Sequence, residues 1–158
     1  MSQPARRHWA RPIGERLAFP AVFALLGLAG LVIKTVPFKH VAKMLGPHRQ
    51  LAPWIPVATV QQQRQAERVG ALVRRAARRT PWRSNCFPQS LVAATLLRAW
   101  RVPYAVYFGV SADPQPPDRI NAHAWVCAGP SAIVGGNGFE RYRVLACWAW
   151  VAGGPIHE

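Results

Sequence analysis

Cys86, in the segment NCFPQSLVAATLL, and His123, thirty-seven residues further along in NAHAWV, are the residue types that make a thiolate nucleophile and its general base. A thiolate attacks a carbonyl carbon, while an imidazole takes up the thiol proton and later returns it to a leaving amine. Position adds to residue type. Ser84 or Asn85 can cap a helix, and Pro88 is tolerated only in a first turn, so a helix is predicted from Cys86 to about Trp100. That puts Cys86 at a helix N-terminus, where the macrodipole and the first-turn N–H groups favour an anion. The same N–H groups can hold the oxyanion of a tetrahedral intermediate. NAHAWVCAG alternates as a strand does, with His123, Trp125 and Cys127 on one face.

The surrounding elements must bring helix and strand together. Before the cysteine, VATVQQQRQAERVGALVRRAARR places Val57, Val60, Val69, Leu72, Val73 and Ala76 near helical spacing, with Arg64, Arg68, Arg75 and Arg79 on the rest of the surface. It reads as an amphipathic basic helix ended by Thr80 and Pro81, whose arginine face is either solvated or binds an acidic peptide or phosphate. After the cysteine helix, YAVYFGV reads as a strand, SADPQPPDRI as a loop, and SAIVGG and ERYRVLACWAWV as two more strands joined by the glycine-rich turn GGNG. Runs of helix followed by runs of strand imply an α+β fold, with N-terminal helices and then a catalytic helix on a small antiparallel sheet.

At 158 residues there is room for one domain with a real core. The expected division is a flexible tail plus apolar helical segment over 1–50 and a catalytic domain over 51–158. The run from Leu17 to Ile33 carries no charge and as a helix would extend roughly 25 Å, a little short of a bilayer's hydrocarbon core. It admits three readings: a buried or membrane-leaning helix, a span, or a signal segment. Basic residues flank it on both sides, Arg6, Arg7, Arg11 and Arg16 before and Lys34, Lys39 and Lys43 after, so no orientation follows. Pro37 is expected to end it ahead of a short helix closing near Gly46, and HRQLAPWIP is a proline-punctuated connector.

With 20 Lys+Arg against 6 Asp+Glu, the formal charge of +14 invites anionic partners without choosing among nucleic acid, membrane and acidic peptide. Three cysteines at irregular spacing make no disulfide framework, and a reducing cytoplasm keeps a nucleophilic thiol usable. Cytoplasmic localisation is expected, with membrane association through residues 17–33 left open. A zinc site from Cys86, His123, Cys127 and Cys147 is argued against by the lack of any close Cys/His ligand pair.

Read together, PWRSNCFPQSLVAATLLRAWRVPYAVYFGV, NAHAWV, the glycine turn and ERYRVL resemble the lasso-peptide leader peptidases, cysteine proteases of the transglutaminase-like (papain-like) kind. The resemblance covers about residues 57–147, and VPFKHVAKMLG is similar to that family's leading helical segment. It implies the split form, in which a separate small protein captures the leader of a ribosomally made precursor. It also implies release of the core peptide to an asparagine-synthetase-like macrolactam cyclase. ATP would belong to that assembly; no cofactor is expected on this chain, which shows no Gly-rich phosphate loop. Carried over by motif position, Cys86 is the nucleophile and His123 the base.

The family commonly has an acidic residue about a dozen positions beyond the histidine, where this chain reads SAIVGGNGFE without an Asp. Asn137 is a candidate third member; a dyad helped by Asp113, Asp118 or a backbone carbonyl is the alternative. Trp82, Gln89 and Trp125 are candidates to line the substrate pocket. The competing reading is a basic, non-catalytic peptide- or nucleic-acid-binding protein with a vestigial Cys/His pair. Against nucleic acid, few aromatics interleave the arginines and no nucleic-acid motif is present.

Overall fold

The computed structural model describes residues 13–49, 54–82, 84–111 and 121–153. Among the described residues four helices, α1 (Ile13–Thr35), α2 (Phe38–Met44), α3 (Val60–Ala77) and α4 (Cys86–Ala99), precede four strands. These are β1 (Tyr104–Ser111), β2 (Ala122–Ala128), β3 (Ser131–Val134) and β4 (Tyr142–Trp150), with a 3₁₀ turn at Phe139–Arg141 before β4. The strands form one antiparallel sheet in the order β3-β2-β1-β4. The α+β expectation holds, as does the run of helices followed by strands. The start of the expected N-terminal tail and the proline loop carrying Asp113 and Asp118 lie outside the described residues.

Strand alternation divides the sheet into two faces. Tyr104, Val106, Val126 and Trp148 join the large core shared with the helices, whereas Ala105, Tyr107, Trp125 and Cys147 form a second cluster on the other side. The connector closes that second face: the Tyr107 hydroxyl donates to the Trp54 carbonyl and accepts from the Trp54 N–H. A short piece of the same connector runs along β4, with Arg49 N–H donating to Cys147 O at 2.7 Å and Ala149 N–H to Pro47 O at 3.0 Å.

α4 is the central element. Ser90 to Ala94 and Leu97 are all buried, because α1 and α3 pack on one side of the helix and the sheet on the other. α3 begins at a capping box that fixes its start: Thr59 Oγ1 accepts from Gln62 N–H at 3.2 Å, and Gln62 Oε1 accepts from Thr59 N–H at 2.9 Å. Its buried stripe is Ala66, Val69, Gly70, Leu72, Val73 and Ala76. Val57 and Val60, placed with that stripe on sequence spacing, are instead exposed, because the cap leaves Val57 outside the helix and Val60 on its first, open turn.

α1 settles one face of the apolar run. Val22, Leu26 and Ala29, at spacings of four and three, enter the common core against α3 and α4, each large side chain contributing roughly 1.5–3 kcal/mol by burial. Leu28 and Leu31 face outward, 55% and 58% exposed. The window Ala18–Thr35 has the length and mean hydropathy, 1.9, of a membrane-crossing helix. Thus the helices before residue 50 and those after it bury side chains in one core.

Candidate active site

Cys86 is the first residue of α4 and is half-buried. Asn85 occupies the N-cap with extended backbone, but its side chain makes no capping hydrogen bond. At the third helical position stands Pro88, which has no N–H to satisfy, so proline fits the first turn without leaving an orphan donor. Gln89 closes the turn, its backbone N–H donating to Asn85 O at 3.4 Å and its carboxamide Nε2 to Ser84 O at 2.7 Å.

His123 is the second residue of β2, opposite Gly109 of β1. As its alternation with Trp125 and Cys127 requires, the imidazole lies with the second cluster, 6.0 Å from the Trp125 ring and 4.8 Å from that of Tyr142, centroid to centroid. Its Nε2 lies 2.7 Å from Gly135 O. A carbonyl oxygen only accepts, so in the neutral ring Nε2 carries the proton and Nδ1 is the basic nitrogen. The orienting contact considered for Asn137 is therefore made by a backbone carbonyl two residues earlier. Asn137 itself is exposed and borders the same hollow.

Gly135 suits this task conformationally. Its φ is +69°, and a Cβ there would collide with the Ala124 carbonyl oxygen on β2. Gly135→Ala should cost roughly 1–3 kcal/mol through backbone strain and the clash. It should also displace the carbonyl that fixes the imidazole, so a thermal melt should fall by several degrees and the imidazole ¹⁵N signals should lose their single Nε2–H tautomer. An unchanged melt and tautomer would show that the turn does not hold His123.

Two hollows of about 600 Å³ each flank the first turn of α4. One is mostly apolar and contains Cys86 and Phe87, walled by Trp82 and by Gly27, Gly30 and Leu31 of α1. The other is polar and contains His123, Gln89 and Asn137 with Arg74 of α3 and the C-cap residue Arg78. Trp82 thus borders the cysteine and Gln89 the histidine, whereas Trp125, 3% exposed, lines neither hollow and stacks between the rings of His123 and Tyr107. No hydrogen bond joins Cys86 to His123, and the two residues line different hollows.

Sequence spacing passes over five contributing residues. Spacing marks Gly135 only as a turn residue, singles out Arg64, Arg68, Arg75 and Arg79 rather than Arg74 and Arg78, and marks Gly27 and Gly30 only as part of an apolar run. The small-residue pair three apart in α1 is the one local cue, since it opens a notch on a helix otherwise rich in large side chains. Among the described residues no three His, Cys, Asp or Glu side chains gather as a metal site. Cys127 and Cys147 are packed residues of the sheet, and burial pushes both thiols up to about 11.

No curated protein and no solved structure matches the chain. The family model of the transglutaminase-like superfamily matches residues 32–147, a span that runs from the last turn of α1 to β4 and includes both Cys86 and His123, and the chain belongs to that superfamily.

Proposed function

We propose that this chain is a cysteine peptidase that removes the leader from a ribosomally made lasso-peptide precursor, ahead of ring closure by a partner cyclase. The observation that carries the reading is the position of Cys86 as the opening residue of α4, a helix packed against the strand that bears His123, within a transglutaminase-like chain. In the reaction the Cys86 thiolate attacks the scissile carbonyl, and first-turn N–H groups of α4 stabilise the oxyanion. His123 Nδ1 takes the thiol proton and delivers it to the leaving amine, and water then hydrolyses the acyl-enzyme.

Thiol and imidazole must come within hydrogen-bond reach for this chemistry. A peptide laid across the first turn of α4 touches both hollows, and catalytic hydrogen bonds commonly tighten only once substrate is bound. With Nε2 tied to Gly135 O, the ring already presents Nδ1 as the free base. The partners in this reading are the precursor, a separate leader-recognition protein and an asparagine-synthetase-like cyclase that uses ATP. Nucleic acid has no part in it.

The test is to incubate the purified chain with the precursor, the leader-recognition protein, the cyclase and ATP, and to follow products by mass spectrometry. Hydrolysis at one bond, yielding an intact leader, is the expected result. A precursor left whole in the complete mixture overturns the proposal.

A further inference from the structure

The polar hollow beside His123 carries two cations whose role the peptidase chemistry does not explain. Arg74, in the last turn of α3, and Arg78, its C-cap residue, are four positions apart and both line it. α3 reaches this position because residue 70 is glycine: a Cβ there would collide with the Ile133 carbonyl oxygen of β3. That same oxygen accepts a hydrogen bond from Arg74 Nη1. One edge of the Arg74 guanidinium is thereby anchored to the sheet, and its remaining N–H groups are left for another acceptor.

Among the described residues no carboxylate borders the hollow: its other lining residues there are Gln89, His123, Ala132, Gly135, Gly136 and Asn137. Burial, and then the neighbouring Arg78 charge, hold the Arg74 guanidinium below its ordinary range. Two like charges side by side, with neutral amides and an imidazole among their described neighbours, are stabilised by an incoming anion. The planar fork of arginine matches a carboxylate in two parallel hydrogen bonds. The carboxamides of Gln89 and Asn137 can supply neutral donors to the same group. A phosphate is less well served, because the hollow has no nest of successive backbone N–H groups among its described neighbours and the sequence holds no phosphate loop.

Resting on the reading of His123 as part of a peptidase site, we propose that Arg74 and Arg78 form a substrate subsite for an acidic side chain of the peptide, close to the bond that is cut. The subsite sets the register of the peptide. With its carboxylate held on the His123 side of α4, the chain crosses the first turn toward Cys86, and the next residues fall into the apolar hollow walled by Gly27, Gly30 and Trp82.

The test separates binding from cleavage by using the full chain with Cys86→Ala. Two fluorescein-labelled hexapeptides that differ only in a single Glu or Gln are titrated by fluorescence anisotropy. The Glu peptide should bind about ten-fold more tightly, the scale of one charge-assisted pair. Arg78→Gln should reduce that preference to about two-fold or less, and Arg74→Gln should do the same in a protein whose circular-dichroism melt matches the parent. Arg78 makes no anchoring bond to β3, so its variant keeps the test valid if Arg74→Gln fails to fold. Equal binding of the two peptides, no measurable binding of either, or displacement by inorganic phosphate at the Glu peptide's own concentration overturns the proposal. Glu-selective binding that depends on Arg78, together with a parent chain that keeps Cys86 and still leaves the precursor whole, upholds an acidic-side-chain site and sinks the peptidase reading instead.

Discussion

Cys86→Ala is expected to lower kcat/KM for the proposed precursor cleavage by at least about a thousand-fold, to the background of the assay, because in that reaction the Cys86 thiolate forms the acyl-enzyme. Cys127 and Cys147 cannot substitute. Both belong to the sheet and not to the first turn of α4, and their thiols are pushed up to about 11. The same substitution should leave the fold intact: the Cys86 side chain makes no hydrogen bond or ring contact with a described residue, and alanine is favourable in a helix. A melting temperature within a few degrees of the parent and unchanged binding of the leader-recognition protein are therefore expected alongside lost cleavage. Cys127→Ala is the informative control, since it should reduce stability by removing a packed side chain while cleavage persists. Cleavage by Cys86→Ala at more than a tenth of the parent rate would remove the thiolate from the mechanism.

Local chemistry made some of this architecture legible in the sequence. Pro88 three positions into a capped run fixed the start of α4, and with it the placement of Cys86, because proline lacks the N–H that only a first turn can do without. Strict alternation in AHAWVCA put His123, Trp125 and Cys127 on one face, as the second cluster shows for Trp125 and Cys127 and the stacked rings for His123. Alternation does not reveal which face the helices cover. The helices took the Val126 face, so the imidazole lies with Trp125, and His123 lines a hollow that Gln89 of α4 also borders. Period alone was likewise silent on what stands opposite. The contact of His123 with Gly135 O depends on a positive φ in a turn twelve residues away, and the pairing of Arg74 with Ile133 O depends on the absence of a side chain at Gly70. Both are meetings between elements, set by close packing rather than by a pattern within either element. The capping box of α3 was readable as Thr59-x-x-Gln62, and it accounts for the exposure of Val57 and Val60 that hydrophobic spacing alone misassigned.

A brief pulse of iodoacetamide at pH 7 is expected to modify Cys86 at least about a hundred-fold faster than Cys127 or Cys147 in the native chain. The thiolate is the reacting species, and a thiol that titrates at about 11 is ionised to about one part in ten thousand at pH 7. For Cys127, burial is the larger cause and the nearby Cys147 the smaller; for Cys147, burial outweighs the Tyr107 hydroxyl and other groups that act the opposite way. Access reinforces ionisation, since Cys147 is fully buried whereas Cys86 opens onto a hollow. The same elevation links to stability. Between the ordinary thiol value of roughly 8.5 and about 11, the folded chain holds protons on Cys127 and Cys147 that the unfolded chain has released. Their contribution to stability is then fully present below roughly pH 8.5 and is lost as pH rises toward 11. Peptide mapping after timed pulses at pH 7 and pH 9 should consequently show Cys86 labelled first at both, with the two sheet cysteines accelerating as the pH is raised. Equal, slow labelling of all three at pH 7 would mean that Cys86 is a packed thiol like the others and that the first turn of α4 does not present a nucleophile.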